Sequence, residues 1–248
     1  MALIWTSLRR SQLAELRDQR AVVLIPLGAV EQHGPHLPVG TDIVNAWHIA
    51  NRVSAAATNP PVVVAPPVAW GISHYHAVFA GTISLRVETL SDLLLDLCNS
   101  IAAGGFARIV ILNGHGGNQA LIDTVALRAS STGVHVLPIT YWNIVPAEMA
   151  AIAETDEGHI GHAGEMETSL QLHLNHDLVD RQALEGPLGR PIAEVGLLPG
   201  VYQVPRVLEE APDGVYGLVH MASAEKGQRL VDAVVRRLGE VLSIEWPD

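Results

Sequence analysis

The chain has 248 residues, enough to bury a large core, and its 48% hydrophobic and 17% charged residues exclude an intrinsically disordered protein. Its 26 acidic residues outnumber 15 lysines and arginines, and the formal net charge of −11 excludes nucleic acid binding through phosphate contacts. A single cysteine, Cys98, excludes an intramolecular disulfide and fits a reducing compartment. Because we find no signal peptide and no apolar run of about 18 residues, we expect a cytoplasmic protein without a membrane span.

Apolar runs alternate with amphipathic stretches along the chain. In order, this pattern predicts a strand at 21–27, a helix at 43–57 with Asp42 as its N-cap, a strand at 62–65, a helix at 90–103, a strand at 108–112, a helix at 118–129, a strand at 134–139, and helices at 165–174 and 223–242. Short apolar strands separated by helices predict a three-layer α/β/α fold with a mainly parallel sheet, in one domain over residues 1–248. We place no element in 184–219, which is rich in Gly and Pro; a lid and a subunit interface are the alternatives there, and we favour the interface.

Polar segments follow each predicted strand, and 12 histidines in the chain invite a search for metal ligands among them. These segments are GAVEQHGPHLPVGTD (28–42), the stretch 70–76, NGHGGN (113–118) and ITYWN (139–143). In parallel sheets, ligand sites form outside the carboxyl ends of the strands. We therefore expect the chemistry to lie in these four segments.

The first segment carries the strongest candidate metal ligands. Glu31 and His33 are two residues apart, so their side chains point the same way in extended chain, and Asp42 follows at a helix start. Two carboxylates and an imidazole suit a divalent transition ion, and one carboxylate could bridge two ions. The alternatives are an N-cap for Asp42, a solvated loop acid for Glu31 and a polar loop residue for His33. A loop stiffened by Gly28, Gly34, Pro35, Pro38 and Gly40 favours metal binding.

Two further segments could complete such a site. His115 lies in a Gly-rich turn, which could also cradle phosphate, but the turn is neither a GxGxxG motif nor a P-loop. In GHAGEMETS (161–169), Glu165 and Glu167 could be acids favoured at a helix start by its dipole. His162, between small residues, suits a proton donor near neutral pH.

These motifs together resemble the creatininase (creatinine amidohydrolase) family of metal-dependent amidohydrolases. The resemblance rests on EQHGPHLP (31–38) with Thr41 and Asp42, FAGTISL (79–85), NGHGGN (113–118) and HAGEMETS (162–169), which occur in the family's order. It covers the chain from about residue 20 to the last helix. It implies the creatininase-like fold, a small-molecule substrate and a homo-oligomer, typically a hexamer.

The resemblance also implies roles for individual residues. Two divalent ions, Zn, Mn or Fe, would be bound: one by Glu31 and His115 and the other by His33, with Asp42 bridging them. His162 would be the catalytic histidine and Glu167 a supporting carboxylate. Creatininases carry a metal-ligating glutamate two residues after the His115 position, where this chain has Gly117. The departure argues against creatinine as substrate and raises Glu165 as a substitute ligand.

The expected reaction is cleavage of an amide-type C–N bond by a hydroxide formed at the two-ion centre, with His162 protonating the leaving nitrogen. Substrate-binding candidates are Ser73, His74, Tyr75 and Trp142, with Trp70 and His76 nearby; ordinary loop packing is the alternative for all of them. The glycine form of the motif is common in relatives with other substrates. These include a deformylase of flavin and deazaflavin biosynthesis, a mycofactocin-precursor peptidase and an inositol-ketone ring hydrolase. An inactive metal-binding subunit is a further alternative.

Overall fold

The computed structural model describes residues 1–155, 159–192, 204 and 206–247. Within these ranges, five strands form one sheet: Leu3–Ile4 (β1), Val22–Leu27 (β2), Val62–Val64 (β3), Arg108–Asn113 (β4) and Val136–Thr140 (β5). Their order in the sheet is β1-β3-β2-β4-β5, and each neighbouring pair is parallel. In the centre, Leu24 pairs with Val64 on one side and Val110 on the other. The carboxyl ends of all these strands therefore meet at one edge of the sheet.

The same ranges contain eight α-helices. They are Arg10–Asp18 (α1), Thr41–Ala56 (α2), Val87–Ala103 (α3), Gln119–Ser130 (α4), Pro146–Ile152 (α5), Glu165–Leu174 (α6), Val207–Glu210 (α7) and Ala224–Glu245 (α8). No helix in the described part of the chain is both long enough and apolar enough to cross a membrane.

The core lies on both faces of the sheet because alternate residues of each strand point to opposite sides. On one side, Val22 and Leu24 pack with buried residues of α2, α5, α6 and α8. On the other side, Val23 and Ile25 pack with buried residues of α1, α3 and α4. Coverage of both faces explains why all six residues of β2 are buried. The predicted three-layer α/β/α fold is confirmed.

The sequence pattern missed the shortest elements. β1 has only two residues, α5 has seven, and α1 buries Leu16 alone. Such elements bury too few residues to give a clear period of two or 3.6 residues. The predicted strands and the long helices agree with the structure to within about three residues at their ends.

The prediction that Asp42 caps the helix after the first polar segment is wrong. α2 begins at Thr41, Gly40 stands at the cap position without a side-chain hydrogen bond, and Asp42 lies inside the first turn. The Asp42 carboxylate instead faces His33 and His115. The aspartate at this helix start therefore belongs to a side-chain cluster and not to a cap.

Residues from the described part of 184–219 pack against the segment that follows β3. Val207, Ala211 and Tyr216 form a small apolar cluster, against which Tyr75 and Phe79 pack. The subunit interface predicted for 184–219 stays a prediction, and residues 193–203 and 205 lie outside the described ranges.

A glycine in α8 sets the spacing between α8 and α6, and it yields a stability test. A Cβ added at Gly227 would collide with the Ser169 carbonyl oxygen and lie 2.9 Å from the Cβ of His173. Gly227→Ala should lower the free energy of unfolding by about 1–3 kcal/mol because the two helices must separate. Gly239, in the same helix, has no atom within 4 Å of an added Cβ. Gly239→Ala should therefore raise the free energy by about 0.5–1 kcal/mol. Urea unfolding measures the free energy of unfolding of both variants. Equal changes in the two variants would contradict the close packing at Gly227.

Candidate active site

Two asparagine side chains hold together the segments that follow β2, β3 and β4. Asn113 accepts the His115 N–H at 3.1 Å and donates to the His115 carbonyl at 2.7 Å. Asn118 donates to the Gly28 carbonyl at 3.0 Å and accepts the Ile72 N–H at 3.0 Å. The Gly-rich turn thus places His115 beside residues that lie distant in the sequence.

A buried cluster of histidines and carboxylates lies at the edge that these turns form. Three groups in the described ranges bring ligand atoms within 4.8 Å of one another: Glu31, Asp42 and His115; His33, His162 and Glu167; and Glu31, His76 and His162. Six of these seven residues are buried, and His162 is partly buried. The fold brings together all the expected catalytic and metal-binding residues except Glu165. These are Glu31, His33, Asp42, His115, His162 and Glu167.

Three histidines of the cluster share one hydrogen-bonding pattern. One ring nitrogen of each lies close to a backbone carbonyl oxygen, which can only accept: His33 Nδ1 is 3.1 Å from Glu31, His115 Nε2 is 2.9 Å from Ile72 and His162 Nε2 is 2.8 Å from Gln32. That nitrogen therefore carries the proton, and the other nitrogen of a neutral ring has a free lone pair. This is the usual arrangement of a histidine that binds a metal.

Asp42 lies between the second ring nitrogens of His33 and His115. Its Oδ1 is 3.1 Å from His33 Nε2, and its Oδ2 is 3.0 Å from His115 Nδ1. Glu31 Oε1 is 3.3 Å from the same His115 nitrogen. Within the described ranges, neither oxygen of Glu31 nor Oδ2 of Asp42 accepts a hydrogen bond, although all three are buried. Buried carboxylates without donors are costly unless a cation neutralises them, so this donor set fits divalent ions.

The electrostatics of the cluster also favour positive charge. Burial opposes protonation of His33, but Asp42, Glu167 and Glu31 outweigh it and raise its pKa to about 10. Burial opposes protonation of His115 too, and Glu31 foremost raises its pKa well above the usual value. Burial would raise the pKa of Asp42, but His33 and His115 lower it below the usual range. The site attracts cations, and a metal ion would compete with these protons.

Glu167 and two other histidines are shifted towards their neutral forms. Burial, with repulsion from Asp42, raises the pKa of Glu167 to about 8, although the Ala163 N–H donates to its Oε2 at 2.6 Å. Burial lowers the pKa of His162 well below its usual value, with further lowering by nearby imidazoles. Burial likewise lowers the pKa of His76 to about 4.

The structure does not bring Glu165 to this cluster, although it was expected as a substitute ligand. Its carboxylate lies 2.5 Å from Lys226 Nζ and accepts hydrogen bonds from the Thr155 hydroxyl at 2.6 Å and from the Glu154 and Thr155 backbone. Glu167, two residues after Glu165 in α6, lies on the helix face that contacts the cluster. The oxygens of Glu165 are already used by an ion pair with α8 and by the 154–155 backbone.

A cavity of about 280 Å³ opens above the cluster. Its wall is largely apolar, with Tyr75, Trp142, Ile160, Ile192 and Tyr216 among its residues, and it also includes His159 and Glu210. Tyr75 and Trp142 therefore lie where substrate-binding residues were expected. Ser73 is buried behind the cavity, with its hydroxyl 3.3 Å from His115 Nε2. His74 is exposed and is not part of the described cavity wall.

The sequence did not indicate the positions of several residues in the cavity and around the cluster. Glu210 and Tyr216 come from the segment for which no element was predicted, and the Tyr216 hydroxyl donates to Glu210 at 3.1 Å. Gln32 lies inside the first motif, but its amide is not a typical metal ligand, so the motif did not point to it. His76 was expected only near the substrate, and the structure buries it in the cluster.

Gly117 has no room for a side chain. A Cβ added there would collide with the Ile72 carbonyl oxygen and would lie 2.5 Å from both His115 Nε2 and the Tyr75 hydroxyl oxygen. A glutamate at this position would therefore require a shift of backbone as well as of Tyr75.

Comparison with known proteins identifies the family. The model of the creatininase family, described as creatinine amidohydrolase, matches residues 6–242. The chain belongs to the creatininase family. It is therefore an amidohydrolase of a metal-dependent family, as the resemblance of its motifs predicted.

Individual members of the family differ in what they act on. The chain is 37% identical to the mycofactocin precursor peptide peptidase of Mycobacterium ulcerans, over 87% of this chain and 84% of that protein. It is 30% identical to creatinine amidohydrolase of Pseudomonas putida, over 91% of this chain and 90% of that protein. A solved structure described as creatininase Mn superposes with a TM-score of 0.82 at 26% identity, over 100% of both chains.

The placement of Glu165 gives a test that separates a structural ion pair from a metal ligand. Burial alone would raise the pKa of Glu165, but Lys226 and the donors at 154–155 lower it below 4.5. Its charge therefore stabilises the fold above pH 4.5, and this contribution is lost as the pH falls through the lower pKa of the folded state. Glu165→Gln should reduce the free energy of unfolding by about 2 kcal/mol at pH 7, with a difference that shrinks below pH 4.5.

Urea unfolding across pH 3–7, set against metal content by elemental analysis, checks this prediction. We expect Glu165→Gln to keep the metal content of the wild type. A variant of normal stability that loses metal would contradict the structural placement of Glu165.

Proposed function

We propose that this creatininase-family amidohydrolase cleaves an amide-type C–N bond with two divalent ions. Glu31, Asp42 and His115 would hold one ion, and His33, Asp42 and Glu167 the other. The observation that carries the proposal is the Asp42 carboxylate, which presents one oxygen to an imidazole nitrogen of His33 and the other to an imidazole nitrogen of His115. Glu167 replaces Glu165 in this set because its Oε2 is 3.8 Å from His33 Nε2.

When bound, the two ions would supply the Lewis acidity that polarises a carbonyl and makes a water molecule nucleophilic near neutral pH. Mixed nitrogen and oxygen ligands suit Zn, Mn or Fe. The homohexamer and the cytoplasmic location stay predictions from the family resemblance and the sequence.

His162 would carry a proton during the reaction. Its Nε2 proton is directed to the Gln32 carbonyl oxygen, which leaves Nδ1 as the acceptor, 3.4 Å from Glu31 Oε1 and beside the cavity. This nitrogen would accept a proton from the attacking water and pass it to the leaving nitrogen. A positioned acid or base of this kind contributes roughly 10²–10⁴-fold to the rate.

The cavity supports a small amide substrate with an apolar or aromatic part. Its volume of about 280 Å³ and its aromatic wall suit such a molecule. The absence of space for a side chain at Gly117 argues against a creatininase-type ligand set and hence against creatinine. A peptide is the second candidate, because the chain is 37% identical to a peptide peptidase. Hydrolysis of creatinine, formanilide and a dipeptide p-nitroanilide by metal-reconstituted protein separates these classes.

Removal of a central ligand tests the metal centre. His115→Ala should lose at least one of about two ions per chain and lower amide hydrolysis by more than 10²-fold, because two carboxylates lose their shared nitrogen partner. His135→Ala is the matched control, since His135 is exposed and paired with Glu245 away from the cluster. Elemental analysis and a hydrolysis assay measure both variants. Retention of both metal and activity by His115→Ala would refute the assignment.

A second substitution tests the role of His162. His162→Gln should keep the wild-type metal content and lower kcat by about 10²–10⁴-fold, because the proton carrier is lost while the ligand set is intact. Metal content and steady-state kinetics are the measurements. His162 also belongs to two of the groups that could hold a metal ion. Loss of an ion from the variant would therefore show that His162 is a metal ligand and would contradict its proposed role.

A further inference from the structure

His76 has no role in the scheme above, yet it lies at the centre of the site. It is 2% exposed and forms part of the cavity wall. Its ring stacks on that of His162, with 4.3 Å between the ring centres and 24° between the planes. The protonation pattern of its two nitrogens follows from the hydrogen bonds of a neighbouring side chain, Gln32.

The orientation of the Gln32 amide is fixed at both ends. Its Oε1 accepts the Gly34 N–H at 2.9 Å, so the other end is the NH₂ group. That group donates one hydrogen to the Gly214 carbonyl at 2.9 Å. Its other hydrogen faces His76 Nδ1, also at 2.9 Å. His162 Nε2 lies 3.0 Å away but cannot accept, because it carries the proton that it donates to the Gln32 carbonyl oxygen.

His76 Nδ1 is therefore an acceptor, and a neutral His76 carries its proton on Nε2. This pattern is the opposite of that of His33, His115 and His162, which each direct a proton away from the cluster and keep a lone pair towards it. The His76 proton points into the cluster, where Glu31 Oε1 is 3.7 Å from Nε2, beyond hydrogen-bond distance. No residue in the described ranges accepts a hydrogen bond from this nitrogen.

We propose that His76 is a further catalytic residue, a neutral imidazole that donates a hydrogen bond from Nε2 to the carbonyl oxygen of the scissile amide. Gln32 is the positioning residue that keeps the proton on Nε2. The inference rests on the proposed amide hydrolysis, since that reaction builds negative charge on the carbonyl oxygen. A fixed donor at that point stabilises the charge without itself losing a proton.

The competing role for His76 is metal ligation, because its Nε2 belongs to a group with Glu31 and His162. Ligation through Nε2 would require the proton on Nδ1. That proton would then face the NH₂ group of Gln32 across 2.9 Å, and two donors would oppose each other. The hydrogen-bond directions thus favour a donor over a ligand.

Neutron diffraction from deuterium-exchanged crystals of the Zn-loaded protein tests the tautomer directly. We expect deuterium on His76 Nε2, none on His76 Nδ1, and no Zn–Nε2 contact. Deuterium on Nδ1 or a Zn ion bound to Nε2 would overturn the proposal. This readout does not depend on activity, so it is decisive even if none of the test amides is hydrolysed. Lack of hydrolysis would count against the proposed function alone.

Two matched variants test the catalytic role. His76→Gln can place an amide N–H near the position of Nε2, whereas the shorter His76→Asn cannot. With whichever of creatinine, formanilide or a dipeptide p-nitroanilide the wild type hydrolyses, His76→Asn should lower kcat about 10²–10³-fold. His76→Gln should recover at least a tenth of wild-type kcat. Both variants should keep the wild-type Zn content by elemental analysis.

Gln32→Glu tests the positioning role. The carboxylate keeps the shape of the side chain but cannot donate to His76 Nδ1, so the His76 proton should move to Nδ1. We expect kcat to fall by more than 10-fold with the Zn content unchanged, and neutron diffraction should show deuterium on Nδ1 of His76. Wild-type kcat in His76→Asn, or Zn loss in both His76 variants, would show that His76 is not the proposed donor.

Discussion

The buried negative charge of Glu31 and Asp42 is the constraint on which the site depends. Their side chains are almost inaccessible to water, and three of their four oxygens have no hydrogen-bond donor in the described ranges. Such a charge persists in a fold only if cations neutralise it. The arrangement of the surrounding polypeptide follows from this requirement: imidazole nitrogens face the carboxylates, and backbone carbonyls orient the rings from the opposite side.

The layers of the fold could be predicted from the sequence because they depend on local apolar patterns. Each long strand and helix buries enough residues to show its period, whereas β1, α1 and α5 do not. Asp42 shows the limit of local reasoning. An aspartate near a helix start is commonly a cap, and only the positions of His33 and His115 show that its carboxylate faces elsewhere.

The site could be predicted as a set of residues but not as a set of roles. Glu165 and Glu167 are both acids in the first turn of α6, and the sequence offers no means of choosing between them. Their surroundings differ because Lys226, 61 residues after Glu165, contacts the Glu165 carboxylate from α8. The proposed positioning role of Gln32 likewise depends on Gly214, 182 residues away. Contacts over such separations are set by the tertiary fold and leave no local pattern.

Tyr216 connects the cavity wall to His162, the proposed proton carrier. Its side chain forms part of the cavity wall, while its backbone exchanges two hydrogen bonds with His162, at 2.7 and 2.8 Å. A backbone shift that enlarged the cavity at Tyr216 would also move the His162 ring. Engineering of this enzyme for bulkier substrates should therefore start at Trp142, which lines the cavity from the segment after β5, so that selectivity and turnover can be altered independently.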